Sequence, residues 1–226
     1  MSPEIIAHRG ASHERPENTL AAFTRAAELG ADAVELDVHL SSDGRLVVHH
    51  DPTVQGSFLP KAIRSLTLAD LREFGVRGEP IPTLDEVITA IGGRLRIYCE
   101  LKGAGTADAA AALLAPLGDG AAVHSFDHRM IAEAARVAPE LPRGVLETSY
   151  HRDTGFPMRD VGARDLWQHE ALIDAGMITL VHAAGGRVLA WTVNDPDRAR
   201  ELTRIGIDGL CTDDVAATRA ALTAPG

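Results

Sequence analysis

Seven side chains in this sequence have the types and positions to act together. The apolar run Ile5-Ile6-Ala7 leads directly into His8, Arg9 and Gly10. Glu35 and Asp37 sit on alternate positions of the stretch 33–40, His50 ends the run 46–50, and Glu100 and Lys102 flank Leu101 at the end of 94–101. Two imidazoles that titrate near neutrality can take and give a proton in one reaction. Three converging carboxylates repel one another and raise one another's pKa unless a cation sits among them. An oxygen-only ligand set suits a hard divalent ion, Mg²⁺ or Ca²⁺. Arg9 and Lys102 would add fixed positive charge for an anionic substrate, and guanidinium geometry suits a phosphate.

Taken singly, each of these has a plainer explanation. Glu35-x-Asp37 fits an exposed strand face, His50 before Asp51-Pro52 fits a turn, and Lys102 fits a partner for Glu100. Their joint placement at strand ends favours a site, because a buried carboxylate cluster without partners is costly. His39, His49, His124 and His169 read as histidines without a special role.

The elements that must position these groups alternate in type. Strands are expected at 4–7, 33–40, 94–101, 121–126, 143–146, 165–168, 187–194 and 209–212. Helical patterns fall at 20–29, 67–74, 83–91, 106–117, 127–138, 174–184, 196–205 and 213–222, while 148–161 shows no period and reads as a loop. Thr83 with Glu86 three residues on forms a capping-box pattern, and Pro196 suits a first helical turn. Ser41-Ser42-Asp43-Gly44 is too short for a parallel crossover, so 46–50 must return antiparallel to 33–40. With Leu40 opposite Arg45, Glu35 faces His50 and Asp37 faces Val48. That pairing puts Glu35, Asp37 and His50 on one face, with His39 and His49 on the other. Eight short apolar strands separated by helices predict a parallel sheet closed into a (β/α)8 TIM barrel, with a small β-hairpin and a short insertion after the second strand. An open sheet is the alternative if 165–168 is not a strand.

Composition narrows the function. The 226 residues carry 22 basic and 32 acidic side chains, a net charge of −10, which argues against a nucleic-acid partner. No apolar run approaches the ~18 residues of a membrane span, so stable membrane insertion is not expected. MSPEIIAHRG lacks the pattern of a signal peptide. Cys99 and Cys211 lie in apolar runs and read as buried thiols rather than a disulfide framework. A cytoplasmic protein with one domain over residues 1–226 is the expectation.

Several motifs in order resemble the glycerophosphodiester phosphodiesterase family. They are His8-Arg9-Gly10-Ala11 with Pro16-Glu17-Asn18-Thr19, Glu35-Leu36-Asp37-Val38, His50-Asp51-Pro52, Glu100-Leu101-Lys102, Trp191-Thr192-Val193-Asn194, and Asp208-Gly209 with Thr212-Asp213. The resemblance implies a (β/α)8 barrel that hydrolyses a small-molecule glycerophosphodiester, such as glycerophosphocholine or glycerophosphoethanolamine, to sn-glycerol 3-phosphate and an alcohol. It implies His8 and His50 as the acid–base pair. Glu35, Asp37 and Glu100 would be ligands of one divalent cation, Mg²⁺ or Ca²⁺. Arg9 would contact the phosphate with Lys102 close by, Glu17 would orient the first loop, Trp191 would wall the pocket, and Asn194 would support it. The stretch 53–82 is short, so any cap over the site is small. Two rivals remain at this stage: a lysophospholipase D-type enzyme on lipid substrates, and a barrel that only binds a phosphorylated ligand. The complete set of histidines and carboxylates speaks against the second.

Overall fold

The computed structural model describes residues 2–56 and 58–223. Eight strands alternate with eight helices along them: β1 (Glu4–His8), α1 (Leu20–Glu28), β2 (Ala33–Leu40), α2 (Leu84–Ile91), β3 (Arg96–Leu101), α3 (Thr106–Leu114), β4 (Ala121–Ser125), α4 (His128–Val137), β5 (Arg143–Glu147), α5 (Phe156–Val161), β6 (Asp165–His169), α6 (Ala175–Ala183), β7 (Arg187–Trp191), α7 (Pro196–Arg204), β8 (Gly209–Thr212) and α8 (Val215–Thr223). Each strand pairs in parallel with the next, and β8 pairs back onto β1, with Glu4 opposite Gly209 and Ala7 opposite Thr212. The sheet is therefore a closed barrel, and the open-sheet alternative fails because Asp165–His169 pairs with strands on both sides. No helix among the described residues is long and apolar enough to cross a membrane.

Strand alternation divides the core. Ile6, Ala33, Tyr98, Ala122, Leu146, Trp167, Leu189 and Cys211 pack together inside the barrel. Residues of opposite parity, such as Ala7, Val34, Leu36 and Cys99, pack outward against the helices. Trp167 fits inside because β5 offers Gly144 beside it; a Cβ there would lie 2.7 Å from the indole. Helix starts are fixed locally: Thr19 Oγ1 accepts the Ala22 N–H, and Thr83 and Glu86 form a reciprocal capping box.

The structure corrects three expectations after β2. First, the return strand Leu46–Val48 pairs Leu40 with Leu46 and Val38 with Val48, one residue away from the expected register. The turn itself is the reason. Ser41 N–H donates to the Arg45 carbonyl and Ser41 Oγ accepts the Arg45 N–H, so Arg45 belongs to the turn. Second, the expected separation of hairpin faces fails. His39 shares the parity of Glu35 and Asp37, and its Nε2–H donates to the His50 carbonyl at 3.0 Å. His50 comes into place because the chain leaves the sheet after Val48. Third, the helix expected at 67–74 is cut to a single turn. Thr53–Val54 pairs with Lys61–Ala62 in a small hairpin, and Leu68–Leu71 makes one helical turn. Gly75–Val76 then pairs with Glu79–Pro80. Val47, Val54, Ile63, Leu71 and Ile81 give this insertion its own apolar cluster. Elsewhere, the stretch read as a loop at 148–161 ends in α5, which has Pro157 in its first turn and stops at Gly162 in the left-handed region. Six residues are too few to show a helical period.

The amino end of the barrel is closed by charge. Glu4 accepts from Arg96 at 2.6 Å, from Tyr98 Oη at 2.7 Å and from Arg187 at 2.7 Å. Asp165, fully buried, lies 2.7 Å from Arg164 and 3.8 Å from Arg187. Removing one member of such a partly buried set leaves its partners uncompensated. Glu4→Gln should therefore lower unfolding stability by about 3 kcal/mol in urea titration; a midpoint equal to wild type would contradict the role of Glu4 as a plug.

Candidate active site

The opposite end collects the groups singled out in the sequence. His8, Arg9, Glu35, His50, Glu100, Lys102 and Trp191 all line one cavity of about 80 Å³, together with His124, Phe126, Leu146, Trp167 and Cys211. Asp37 is 1% exposed and is tied to two of the lining residues, Lys102 and Arg9. Alternation explains the grouping: Glu35, Asp37, Glu100, His124 and Trp191 share the inward parity of their strands, and His8 continues the parity of Ile6.

Two carboxylates and two cations form the centre. Lys102 Nζ lies 3.2 Å from Asp37 Oδ1 and 2.8 Å from Glu100 Oε1. Arg9 Nε lies 3.4 Å from Asp37 Oδ2, and Asn18 Nδ2 donates to the same oxygen at 2.9 Å. Burial works against charge on Asp37, but Lys102, Arg9 and Asn18 outweigh it and hold its pKa down at about 2. Glu100 has only Lys102 against burial and the charges of Asp37 and Glu35, and its pKa is pushed up to about 8. The carboxylates thus exceed the cations available to them. Glu35, Glu100 and His124 each offer a ligand atom within 4.8 Å of the others, a buried group compatible with a divalent metal. His124 Nε2 lies 3.7 Å from Glu35 Oε1, and its Nδ1 has no hydrogen-bond partner among the described residues.

Loop geometry aims Arg9. Its φ of +56° is unusual for a residue with a side chain, and Asn18 follows at +57°. In this conformation Arg9 N–H donates to Glu35 Oε2 at 3.2 Å, and its carbonyl accepts the Asn18 N–H at 2.9 Å. Glu17 takes the guanidinium through Nη1 at 3.0 and 3.2 Å. Gly10 follows at φ +83°, where a Cβ would lie 2.7 Å from Ala22, so only glycine lets this loop lie on α1.

Both histidines are oriented by an aspartate. His8 Nδ1 lies 2.6 Å from Asp213 Oδ1, and His50 Nδ1 lies 2.8 Å from Asp51 Oδ1. A carboxylate only accepts, so each Nδ1 carries the proton and Nε2 is the nitrogen left to react. Asp213 itself accepts from Ser12 Oγ at 3.1 Å and Asn194 Nδ2 at 2.6 Å. Burial opposes its charge, yet His8, Asn194 and Ser12 keep its pKa down at about 2. Burial likewise opposes charging His8, but Asp213 and Glu35 raise its pKa above the ordinary value. The sequence reading missed Asp213, Ser12, His39 and His124 as members of the site. Asp213 stood in a quoted motif at a strand end, and the inward parity of His124 was the available signal. Trp191 is held by Nε1–H donating to the Trp167 carbonyl at 3.2 Å, and its ring forms T-shaped pairs with Phe126 and His169.

Residues 8–217 match the Glycerophosphoryl diester phosphodiesterase family. The chain belongs to that family. The glycerophosphodiester phosphodiesterase of Caldanaerobacter subterraneus is 32% identical over 95% of both chains. A phosphodiesterase from Oleispira antarctica, solved with the product sn-glycerol-3-phosphate, superposes with a TM-score of 0.89 at 29% identity, covering 99% of this chain and 98% of that one. A glycerophosphodiester phosphodiesterase from Agrobacterium tumefaciens gives 0.85 at 27% identity, covering 96% and 99%. This glycerophosphodiester phosphodiesterase-family chain is thus an enzyme of the phosphodiester hydrolase class with the expected TIM barrel.

Two expectations follow from the charges. Between pH 4.5 and about 8 the folded, metal-free chain holds a proton on Glu100 that the unfolded chain has released. Stability in EDTA should therefore fall as pH rises through that window. His8, also raised, adds a loss of the same sign only above 6.5. Glu100→Gln should remove the larger part of this fall in urea midpoints measured from pH 5 to 8, and an identical slope in the variant would contradict it. Asp213→Ala removes a charge-assisted hydrogen bond worth about 1.5–3 kcal/mol, so kcat should fall roughly 10- to 100-fold with KM little changed. A loss confined to KM would place Asp213 in substrate binding instead.

Proposed function

We propose that the protein hydrolyses glycerophosphodiesters to sn-glycerol 3-phosphate and an alcohol, with His8 and His50 as the acid–base pair. The observation that carries this reading is that two aspartate-oriented imidazoles border one cavity with buried carboxylates and two cations. Its support from outside the chain is the product seen in the Oleispira relative. Glu35, Asp37 and Glu100 are the ligands we assign to one divalent cation, Mg²⁺ or Ca²⁺: their carboxylates exceed the local positive charge, Glu35 and Glu100 already lie within ligand distance of each other, and Asp37 would exchange Lys102 for the ion. Such an ion, when bound, offsets charge on a phosphate oxygen.

The chain's own groups do the rest. Arg9 and Lys102 direct N–H donors at the phosphoryl oxygens, and Glu17 keeps the Arg9 guanidinium in place. One histidine Nε2 takes a proton from the attacking hydroxyl, and the other gives one to the departing alcohol. The relay serves attack by water directly, or attack by the glycerol 2-hydroxyl to a cyclic phosphate that water then opens. Trp191 and Trp167 wall the small cavity, which we assign to the glycerol side. The departing alcohol would lie in the adjoining groove of about 1090 Å³, which shares His50, Glu100, Lys102 and Phe126 with it. The two buried free thiols suit a reducing compartment such as the cytoplasm.

The test is release of glycerol 3-phosphate from glycerophosphocholine with Mg²⁺, with Ca²⁺ and with excess EDTA. Release should require one of the ions, and His8→Ala and His50→Ala should each lower it by about 10²–10⁴-fold. Turnover undiminished in EDTA would remove the metal, and near wild-type rates in either histidine variant would remove the acid–base assignment.

A further inference from the structure

Phe58 is 98% exposed and Leu59 75%, the two highest values among the large apolar side chains. The other exposed ones, such as Leu180 and Phe156, stand singly, as on most protein surfaces. Phe58 and Leu59 are adjacent and lie between Thr53–Val54 and Lys61–Ala62, the paired arms of the small hairpin. The charge of this region opposes that of the whole chain. Residues 52–64 carry Lys61 and Arg64 and no Asp or Glu, within a chain of net charge −10. Nearby Arg45 and Arg72 are paired with Asp85 and Glu86, whereas Lys61 and Arg64 are exposed and in no ion pair among the described residues.

We propose that this hairpin is an anchor for an anionic lipid surface: Phe58 and Leu59 enter the bilayer interface while Lys61 and Arg64 pair with lipid phosphates. Area argues for a lipid rather than a protein. Two side chains, of which an aromatic buries roughly 150–250 Å², fall far short of the ~800 Å² per partner of a stable protein interface. Interfacial docking needs only apolar groups that reach below the head groups and cations that meet anionic ones. Position gives docking a use. Thr53, Ala62 and Arg64, at the base of the hairpin, line the groove that also holds His50, Glu100 and Lys102. A docked tip sets the mouth of that groove against the surface, so phosphodiesters presented there are the substrate class it favours. That last step rests on the phosphodiesterase reading; docking does not.

The experiment is flotation of the full chain in EDTA with vesicles of phosphatidylcholine alone or mixed with phosphatidylglycerol. Wild type should bind the mixed vesicles, bind phosphatidylcholine alone more weakly, and release with salt. Phe58→Ser/Leu59→Ser should bind about tenfold or more weakly, and Lys61→Gln should lose part of the preference for anionic lipid. Thermal melting and turnover of soluble glycerophosphocholine by the double variant should equal wild type, which separates lost docking from lost folding. No binding to the mixed vesicles, or equal binding by wild type and the double variant, overturns the proposal. A concentration-dependent dimer that the double variant fails to form would assign the tip to a second copy and also overturn it. Docking without turnover of any diester would leave the anchor standing and remove the catalytic reading.

Discussion

The carboxyl end of the barrel is governed by a charge constraint: three carboxylates, Glu35, Asp37 and Glu100, are each less than 10% exposed, and Arg9 and Lys102 are the basic side chains paired with them among the described residues. Much of the local structure answers to that imbalance. The left-handed conformation of Arg9 turns its N–H onto Glu35, Asn18 caps Asp37, and Glu17 holds the guanidinium where it can face two ways. Asp37 takes most of the available compensation, which leaves Glu100 as the group that prefers a proton. A divalent ion among them would leave these five side chains with one net positive charge. That is the complement of the single negative charge on a phosphodiester, so the same imbalance would make the filled site selective.

The two barrel ends solve opposite problems with similar residues. At the amino end Glu4 and Asp165 are each matched by arginines, Arg96, Arg164 and Arg187, and Tyr98 closes the set. At the carboxyl end acids are in excess and imidazoles stand among them. Between the two, Tyr98 meets Trp167 edge to face at 5.0 Å, and Trp167 stacks on His124 at 4.4 Å. The barrel interior is thus filled by rings that separate a structural charge cluster from a reactive one.

Most of this was legible in the sequence because barrel strands are short apolar runs, and the site residues follow their parity or sit one step past their ends. The failures have physical causes. The hairpin register slipped because Ser41 closes its turn through side-chain and main-chain bonds to Arg45, which no hydrophobic pattern records. His50 nonetheless reaches the site because the chain leaves the strand after Val48, not by the face-sharing that was expected. α5 was hidden because it has fewer than two turns. Asp213 and His39 act through other residues, and pairings across 205 and 11 positions of chain have no local signature.

The ring stack also decides what light can report. The sequence has two tryptophans, Trp167 and Trp191, and both border the cavity at the carboxyl end, joined by the Trp191 Nε1–H bond to the Trp167 carbonyl. One stacks on an imidazole that faces the carboxylates, and the other is flanked by Phe126 and His169. Indole emission from this protein therefore comes entirely from the side chains that line that cavity. It is a native optical gauge of what sits among the carboxylates, with no background from the helices or the plug.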